Sequence, residues 1–305
     1  MTAIVRMSGV TKRYNNVTAL DGVSVEFAEN QIHGLLGRNG AGKTTIMQIL
    51  TGQGFETSGV VEVFGSHPYE NDAVLSRICF IKESQRYPDA FKVRHALAAA
   101  RLLYPNWDAG FAGRLVEEFA LPTGRTIKKL SRGQLSAVGV IIGLASRAPL
   151  TFFDEPYLGL DAVARQLFYD RLLADYVEHP RTVVLSTHLI DEVSDLVEHV
   201  ILIDKGRILI DEDADVLRGR AVTVTGPAVA VEAFAAGHTE LHREHLGGYL
   251  RVTLQGAPTL PAGSGNGLEF EPVSLQQLVV RTTQQHVHER APVGVGAANQ
   301  KEDHR

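Results

Sequence analysis

The apolar positions in the first part of the chain follow two different periods, which predicts a mixed α/β fold. The stretch "VSVEFAEN" alternates apolar and polar residues, as a half-exposed strand does, and "QIHGLLG" is a short apolar run typical of a buried parallel strand. After Lys43 the apolar residues recur at helical spacing, and Gly52 suits the end of that helix. The predicted local order is therefore strand, loop and helix.

The middle of the chain predicts helices and then more buried strands. Residues 94–147 are rich in alanine at helical periods, which indicates a helical insertion. The runs "PLTFF" and "RTVVLS" are again short buried strands, and "HVILIDKGRILIDE" predicts a hairpin that turns at Lys205-Gly206.

The pattern changes near Gly219, which indicates a second, smaller domain. Strands are predicted at "AVTVTG" and "GYLRVTLQG", a helix at "SLQQLVVRTTQ", and a loop at the glycine- and proline-rich "GAPTLPAGSGNG". The predicted boundaries are a first domain over 1–215 with its helical part at about 86–148, a small α/β domain over 216–285, and a flexible tail over 286–305.

Composition and charge exclude several classes of protein. The formal net charge of −5 gives no indication of a general nucleic-acid binder. A single cysteine, Cys79, cannot form an internal disulfide and fits a reducing compartment as a small buried hydrophobe. The N-terminus has no secretory apolar region, and the longest apolar stretches are shorter than the ~20 residues that span a bilayer. We therefore expect a soluble chain whose membrane role, if any, depends on a partner.

The segment "GRNGAGKTT", residues 37–45, places three glycines directly before the first predicted helix. Glycines let backbone N–H groups wrap closely around phosphates, and the helix directs its positive N-terminal end at the same phosphates. Lys43 can reach the β- and γ-phosphates, and Thr44 can supply a hydroxyl to Mg²⁺. The stretch matches the P-loop pattern, which is far more specific than a chance glycine turn.

An acidic pair follows the buried strand in "LTFFDEP". Ligands of open parallel sheets bind at the carboxyl ends of the strands, so Asp154 is well placed for Mg²⁺. Glu155 comes next and can orient and polarise an attacking water, which indicates hydrolysis. The alternative is an exposed acidic pair that only caps a strand.

Between the P-loop and the acidic pair, "LSRGQLS" begins a predicted helix, with Ser131 at its N-cap position. After the acidic pair come "LGLDA", which contains Asp161, and "LSTH", which contains His188. Taken together and in this order, the motifs resemble those of the ATP-binding subunits of ABC transporters over roughly residues 4–215. The matches are "GRNGAGKTT" for Walker A, "LSRGQ" for the ABC signature, "LTFFDEP" for Walker B, "LGLDA" for the D-loop and "LSTH" for the switch region.

The resemblance implies a P-loop ABC ATPase fold with a RecA-like core, an antiparallel β subdomain and a helical insertion, here followed by the small C-terminal α/β domain. It also implies ATP and Mg²⁺ as cofactors. The residues that match catalytic positions are Glu155, His188 and Lys43, and those that match metal positions are Thr44, Asp154 and Glu83. The residues that match ATP-binding positions are Tyr14, Gly37, Asn39, Gly40, Gly42, Lys43, Thr44, Thr45, Ser131, Gly133, Gln134 and Asp161.

For three of these residues a purely structural alternative stays open. Tyr14 matches the aromatic residue that stacks on adenine, but it could simply pack on a strand. Ser131 could be only a helix cap, and His188 could be an ordinary polar loop residue. The paired histidines in "HREH" and "QQHVHER" lack a ligand set at metal spacing and predict no metal site.

The resemblance further implies a mechanism and partners. Two such domains meet head to tail, and each ATP lies between the P-loop of one and the signature of the other. This ATP-driven dimerisation would drive separate transmembrane subunits from the cytoplasmic face of the membrane. The second ATP-binding subunit is either an identical chain or a similar one, and no nucleic acid is expected as a partner.

Two positions depart from the family pattern. Glu83 stands where the family usually has a glutamine that joins the nucleotide site to the membrane-subunit contact. Gln85 lies two residues further on, so a shifted alignment stays open. Arg132 occupies the signature position at which glycine is commonest.

The direction of transport is predicted from a weaker resemblance. The segment "LLYPNWD", with Tyr104 and Trp107, is similar to one group of bacterial exporter ATPases, and a short extra C-terminal domain also suits exporters. Trp107 could instead simply pack within the helical insertion. An importer ATPase is the alternative. A soluble ATPase that acts on ribosomes or DNA is less supported, because the chain has one P-loop and no long heptad segment.

Overall fold

The computed structural model describes residues 2–83, 85–219, 221–256 and 267–279. The chain divides into two compact units. The first extends to Gly219 and also takes in Ser274–Gln276, and the second is built from the other described residues after Gly219. The boundaries predicted after residues 215 and 285 stay predictions. Most of the predicted loop at 256–267 and the whole predicted tail lie outside the described residues.

Strands and helices alternate along the first unit, whereas strands dominate the second. The strands are β1 (Ala3–Tyr14), β2 (Val17–Ala28), β3 (Ile32–Leu36), β4 (Ser58–Val63), β5 (Ile78–Ile81), β6 (Leu150–Asp154), β7 (Thr182–Thr187), β8 (His199–Asp204), β9 (Arg207–Asp213), β10 (Ala221–Pro227), β11 (Thr239–Leu246), β12 (Tyr249–Gln255) and β13 (Glu269–Pro272). The helices are α1 (Lys43–Leu50), α2 (Asp72–Leu75), α3 (Val93–Leu103), α4 (Ala109–Glu118), α5 (Arg132–Ser146), α6 (Ala162–Glu178), α7 (Ile190–Val193), α8 (Ala214–Arg218) and α9 (Ala228–Ala235), with a 3-10 turn at Ile127–Lys129.

The centre of the first unit is a six-stranded sheet with the order β5-β6-β7-β3-β8-β9. The pairs from β5 to β8 are parallel, and only the edge strand β9 is antiparallel. Every residue of β3, β6 and β7 is buried, as their continuous apolar runs predict for strands covered on both faces. Because these three strands are parallel neighbours, their carboxyl ends lie side by side at one edge of the sheet.

A second sheet of the first unit, with the order β2-β1-β4, is antiparallel. Its buried side chains share one core with helix α1 and with the central sheet; examples are Val5, Phe27, Ile46 and Phe152. This core fixes α1 against the sheet edge at which the glycine loop ends.

The helical insertion predicted from the alanine-rich stretch contains α3, α4 and α5. Arg147 ends α5 in the left-handed conformation, with φ 43°. Its guanidinium lies 3.0 Å from the Asp108 carboxylate, at the start of α4, and 2.7 Å from that of Asp175, in α6. Asp175 also pairs with the buried Arg181 at 2.8 Å, so one ionic network joins the ends of these helices.

The predicted hairpin is confirmed by the antiparallel pairing of β8 and β9. Lys205 and Gly206 have φ values of 47° and 76°, as the two central residues of a type I′ turn require. The Gly206 N–H donates to the Ala41 carbonyl at 2.8 Å, which ties this turn to the glycine loop.

The second unit contains a four-stranded antiparallel sheet with the order β11-β12-β10-β13, and α9 packs on it. The strands predicted at β10 and β12 are present. Residues 275–279 are helical within the predicted helix, and the first two of them count with the first unit. The sequence did not predict α9 or β11. Strand β11 has no fully buried residue, so its sequence has no apolar face to reveal it. None of the helices formed by the described residues combines the length and apolar character that crossing a bilayer requires.

Candidate functional site

The glycine loop connects the end of β3 to helix α1, which begins at Lys43. Gly37 has φ 155°, and a Cβ placed there would lie 2.3 Å from the Ile203 carbonyl oxygen. Gly42 has φ 119° and leaves no room beside Leu20, whose Cδ2 would lie 2.9 Å from an added Cβ. The loop therefore takes a shape that side chains at these positions would prevent.

Lys43 is buried and points back into its own loop. Its Nζ donates to the Gly37 carbonyl at 2.7 Å and lies 3.7 Å from the Glu155 carboxylate. Burial lowers the pKa of Lys43, and the carboxylates of Glu155 and Asp154 partly offset that effect. A polyphosphate in the loop can replace the carbonyl as the acceptor of this ammonium group.

Asp154 ends strand β6 and is held by two hydroxyl groups. Thr44 Oγ1 donates to Asp154 Oδ2 at 2.9 Å, and Ser186 Oγ donates to Asp154 Oδ1 at 2.9 Å. Burial raises the pKa of Asp154, and the hydrogen bonds from Ser186 and Thr44 partly offset the rise. The structure thus brings together the hydroxyl and the carboxylate that the sequence assigned to a metal ion. Ser186 was not predicted.

Glu155 follows Asp154 with φ 50°, an uncommon conformation for a residue other than glycine. Its backbone N–H donates to the Ser186 carbonyl at 3.0 Å, which fixes the turn against β7. Its two carboxylate oxygens lie 3.0 and 2.9 Å from His188 Nδ1. Glu155 and His188 were predicted from motifs 33 residues apart, and the structure places them in direct contact.

The sequence analysis missed Tyr157. Its side chain is buried, and its hydroxyl contacts the Glu155 carboxylate. The same hydroxyl lies 2.7 Å from Thr187 Oγ1 and 3.3 Å from His188 Nδ1. The only signal in the sequence is the position of a tyrosine two residues after the acidic pair.

Most of the predicted groups described so far line one cleft of about 420 Å³. The predicted residues that line it are Asn39, Gly40, Gly42, Lys43, Thr44, Thr45, Glu83, Asp154, Glu155 and His188. Ammonium, hydroxyl, carboxylate and imidazole groups therefore meet beside the glycine loop. This arrangement can hold a polyphosphate and direct a water at it.

Other predicted residues do not line this cleft. Ser131 and Gln134 form a capping box at the start of α5, with both hydrogen bonds at 3.2 Å. A Cβ on Gly133 would lie 2.5 Å from the Gly159 carbonyl oxygen. Asp161 caps α6 through a 2.8 Å bond from the Ala164 N–H. In the described chain these residues thus have structural roles of their own.

Tyr14 also lies outside the cleft lining. It is half-exposed at the end of β1, and the Lys12 ammonium lies 4.8 Å from the centre of its ring. An aromatic ring that is half-exposed at a strand end is compatible with stacking on a base.

The two departures from the family pattern contact each other. The Arg132 guanidinium lies 2.9 Å from the Glu83 carboxylate, and both side chains are exposed. Glu83 lines both the cleft and a small neighbouring cavity, whereas Gln85 lines only that cavity, together with Leu135 and Pro156. Which of the two takes the position of the family's glutamine stays a prediction.

The fold and the cleft define a P-loop nucleotide-binding ATPase. A family model described as ABC transporter matches residues 20–158, and one described as an AAA domain matches residues 123–194. Nod factor export ATP-binding protein I of Cupriavidus metallidurans is 32% identical over 213 residues, which cover 68% of this chain and 70% of the relative. The chain belongs to the ABC transporter ATP-binding proteins, a family of ATPases.

Two further comparisons agree with this assignment. Bacitracin transport ATP-binding protein BcrA of Bacillus licheniformis is 29% identical, over 72% of this chain and 73% of the relative. A solved structure described as the dimeric structure of MJ0796, a bacterial ABC transporter cassette, superimposes with a TM-score of 0.61. It is 21% identical and covers 69% of this chain and 98% of its own, so it supports the fold.

Proposed function

We propose that this chain hydrolyses ATP to power an ABC exporter, by ATP-driven head-to-tail dimerisation on separate membrane subunits. The observation that carries the proposal is the contact of Glu155 with His188 beside Lys43 in one cleft. A carboxylate at this place can accept a proton from the attacking water. Lys43 then holds the β- and γ-phosphates, and His188 contacts the γ-phosphate and supports Glu155.

The donor set beside Asp154 fits a magnesium ion. Mg²⁺ prefers oxygen ligands and usually takes one or two carboxylates together with substrate phosphates and waters. Thr44 and Asp154 would hold it, with the Glu83 carboxylate at the cleft wall as a further ligand or a ligand to its water. When bound, the ion neutralises charge on the phosphates.

The signature residues supply the reason to propose a dimer. Ser131 stands at the N-terminus of the 15-residue helix α5, where N–H groups and the helix dipole favour an anion. Ser131, Gly133 and Gln134 do not line the cleft of their own chain. In the head-to-tail arrangement they face the γ-phosphate bound by the second ATP-binding subunit, which is an identical chain or a similar one. The dimeric cassette of similar fold is consistent with this arrangement.

The proposed direction is export, and the proposed location is the cytoplasmic face of the cell membrane. The relative described as a Nod factor export protein supports this direction, as does the segment around Tyr104 and Trp107. An importer ATPase remains the alternative, because direction depends on the membrane subunits that bind the ATPase.

A Glu155→Gln variant tests the hydrolytic and dimer proposals together. The amide keeps the size of the side chain but cannot accept the water's proton, so ATP should bind without being consumed. We expect a stable dimer with ATP, measured by size exclusion with light scattering, and turnover reduced by at least about 100-fold. Hydrolysis at the parental rate would contradict the role of Glu155, and a monomer with bound ATP would contradict the dimer.

The transport proposal is tested by affinity capture. Tagged Glu155→Gln chain is expressed in its own host, the membranes are solubilised gently with ATP, and the co-purifying proteins are identified. A multi-spanning membrane protein is the expected partner, and its companions distinguish an identical ATPase pair from a mixed one. Capture of ribosomes or DNA-associated proteins alone would overturn the transport proposal and leave the ATPase assignment intact.

A further inference from the structure

The Tyr157 hydroxyl is a buried polar group for which the proposed mechanism has no task. The residue is 3% exposed and follows the Glu155 turn directly. Its hydroxyl meets three groups at once: the Glu155 carboxylate, Thr187 Oγ1 and His188 Nδ1. With three polar partners around one phenol hydrogen, the direction of each hydrogen bond decides what Tyr157 does in the hydrolytic site.

The hydrogen-bond directions follow from what each group can do. An ionised carboxylate only accepts, so the single phenol hydrogen of Tyr157 goes to Glu155. Thr187 must then donate to the Tyr157 oxygen, and Thr187 Oγ1 itself accepts from the Leu189 N–H at 2.8 Å. A one-way chain of donors thus runs from the backbone of the switch region to the carboxylate. Burial and the bond to Glu155 raise the pKa of Tyr157, which keeps its hydrogen in place.

The other two partners of Glu155 are groups that the nucleotide also needs. Lys43 Nζ lies 3.7 Å from the carboxylate and would move its contacts to the phosphates. His188 uses its Nδ1 hydrogen for Glu155, so neutral His188 has only an acceptor at Nε2. To donate to a γ-phosphate, His188 must gain a proton or release Glu155. In both cases the hydrogen bond from Tyr157 to Glu155 can stay as it is.

We propose that Tyr157 is a positioning residue that holds the Glu155 carboxylate against the attacking water when Lys43 and His188 turn to the nucleotide. This inference rests on the proposed hydrolytic function of the cleft. Tyr157 touches neither ATP nor the water. It keeps the Glu155 carboxylate in place, with one carboxylate oxygen bonded to the phenol and the other left for the water.

Tyr157→Phe removes the hydrogen bond and keeps the ring. One hydrogen bond to a charged group corresponds to about a tenfold effect, so we expect kcat for ATP hydrolysis to fall about tenfold. The KM for ATP should stay within about twofold, because Tyr157 does not bind the nucleotide.

Tyr176→Phe is the matched control. Its hydroxyl also donates to a carboxylate, that of Glu198, at 2.7 Å, but it lies near the start of β3, at the opposite edge of the central sheet. The control should keep the parental kcat and KM, even if both variants lose similar stability. A purely structural role for the Tyr157 hydroxyl would instead give the two variants the same small effect.

A second variant keeps the proposal testable if Tyr157→Phe does not fold. Thr187→Val retains the volume and the Tyr157 ring but removes the donor behind the phenol, and it should lower kcat severalfold at constant KM. Unchanged kcat in the folded variants would overturn the role of Tyr157. A parental chain that shows no ATP hydrolysis would instead overturn the proposed function, so the two failures are distinguishable.

Discussion

The ion pair between Glu83 and Arg132 joins two residues that each depart from the family pattern. The two side chains are 44% and 71% exposed, so water screens their attraction and the pair contributes little to stability. The position of the pair matters more than its energy, because Glu83 lines the nucleotide cleft and Arg132 belongs to the signature. The pair links the two motifs within one chain.

A Glu83→Ala variant tests whether this carboxylate serves the metal site. We expect several-fold more Mg²⁺ to be needed for half-maximal ATP hydrolysis, because an oxygen ligand at the cleft wall is lost. The free energy of unfolding should change by less than about 0.5 kcal/mol. Gln85→Ala is the control, since Gln85 does not line the cleft. An effect of Gln85→Ala alone would favour the shifted alignment.

The site was predictable from the sequence where chemistry and spacing coincide. Lys43, Thr44 and Asp154 were predicted because a glycine loop and an acidic strand end each have a recognisable order of residues. Tyr157 and Ser186 were not, because their contacts depend on how β7 lies beside β6. Many side chains can follow an acidic pair, and only the folded sheet shows that this phenol reaches Glu155.

At the level of elements, the buried parallel strands were the most predictable. Strands β3, β6 and β7 are short apolar runs bounded by polar residues. This pattern is typical of a strand that is covered on both faces. The edge strand β11 has the opposite character, because water covers its side chains and its sequence is mostly polar. Its strand conformation comes from backbone pairing with β12. The spacing of apolar residues in the sequence does not predict such pairing.

Two helical glycines make a matched test of packing. Nothing lies within 4 Å of a Cβ built at Gly113, inside α4, so Gly113→Ala should raise the free energy of unfolding by about 0.5–1 kcal/mol. A Cβ at Gly143, in α5, would lie 2.3 Å from Phe153 Cε1, so Gly143→Ala should lower it by about 1–3 kcal/mol. Denaturant unfolding measures both, and equal effects would contradict the packing described for α5.

The hairpin of β8 and β9 predicts a dependence of stability on pH. Burial lowers the pKa of His199, but the hydrogen bonds to Asp211 and Asp213 outweigh it and raise the pKa above its usual 6.5. A histidine whose pKa is higher in the folded chain than in the unfolded chain stabilises the fold while it is protonated. This stabilisation is complete below the unfolded pKa and is lost as pH rises through the folded pKa. The stability difference between the parental chain and His199→Gln should therefore shrink as pH rises above about 6.5. A constant difference in denaturation midpoint would contradict this.

On the scale of the whole molecule, the nucleotide cleft belongs entirely to the first unit. The relatives cover about 70% of the chain, and the second unit has its own core of residues such as Val224, Val231 and Val252. We therefore expect ATP binding not to depend on the second unit.

A chain that ends at Gly219 tests this separation. It keeps every residue that lines the cleft, so its affinity for ATP should stay within about threefold of the parental value. It loses Ser274–Gln276, which belong to the first unit and include the buried Leu275, so its melting temperature should fall by several degrees. Isothermal titration and thermal unfolding measure the two effects. A large loss of affinity would show that the cleft depends on the second unit.

The turn at Gly206 has a consequence for anyone who labels this protein. Loop tips are the usual places to insert an epitope tag or a fluorescent domain. Here the turn binds inward, since Gly206 donates to Ala41 and accepts from the Asp21 N–H at 2.9 Å. An insertion there would separate the glycine loop from β2. The label would still be detected, but the ATPase would be inactive. The turn at Gly237, where nothing lies within 4 Å of an added Cβ, is the better place for a reporter.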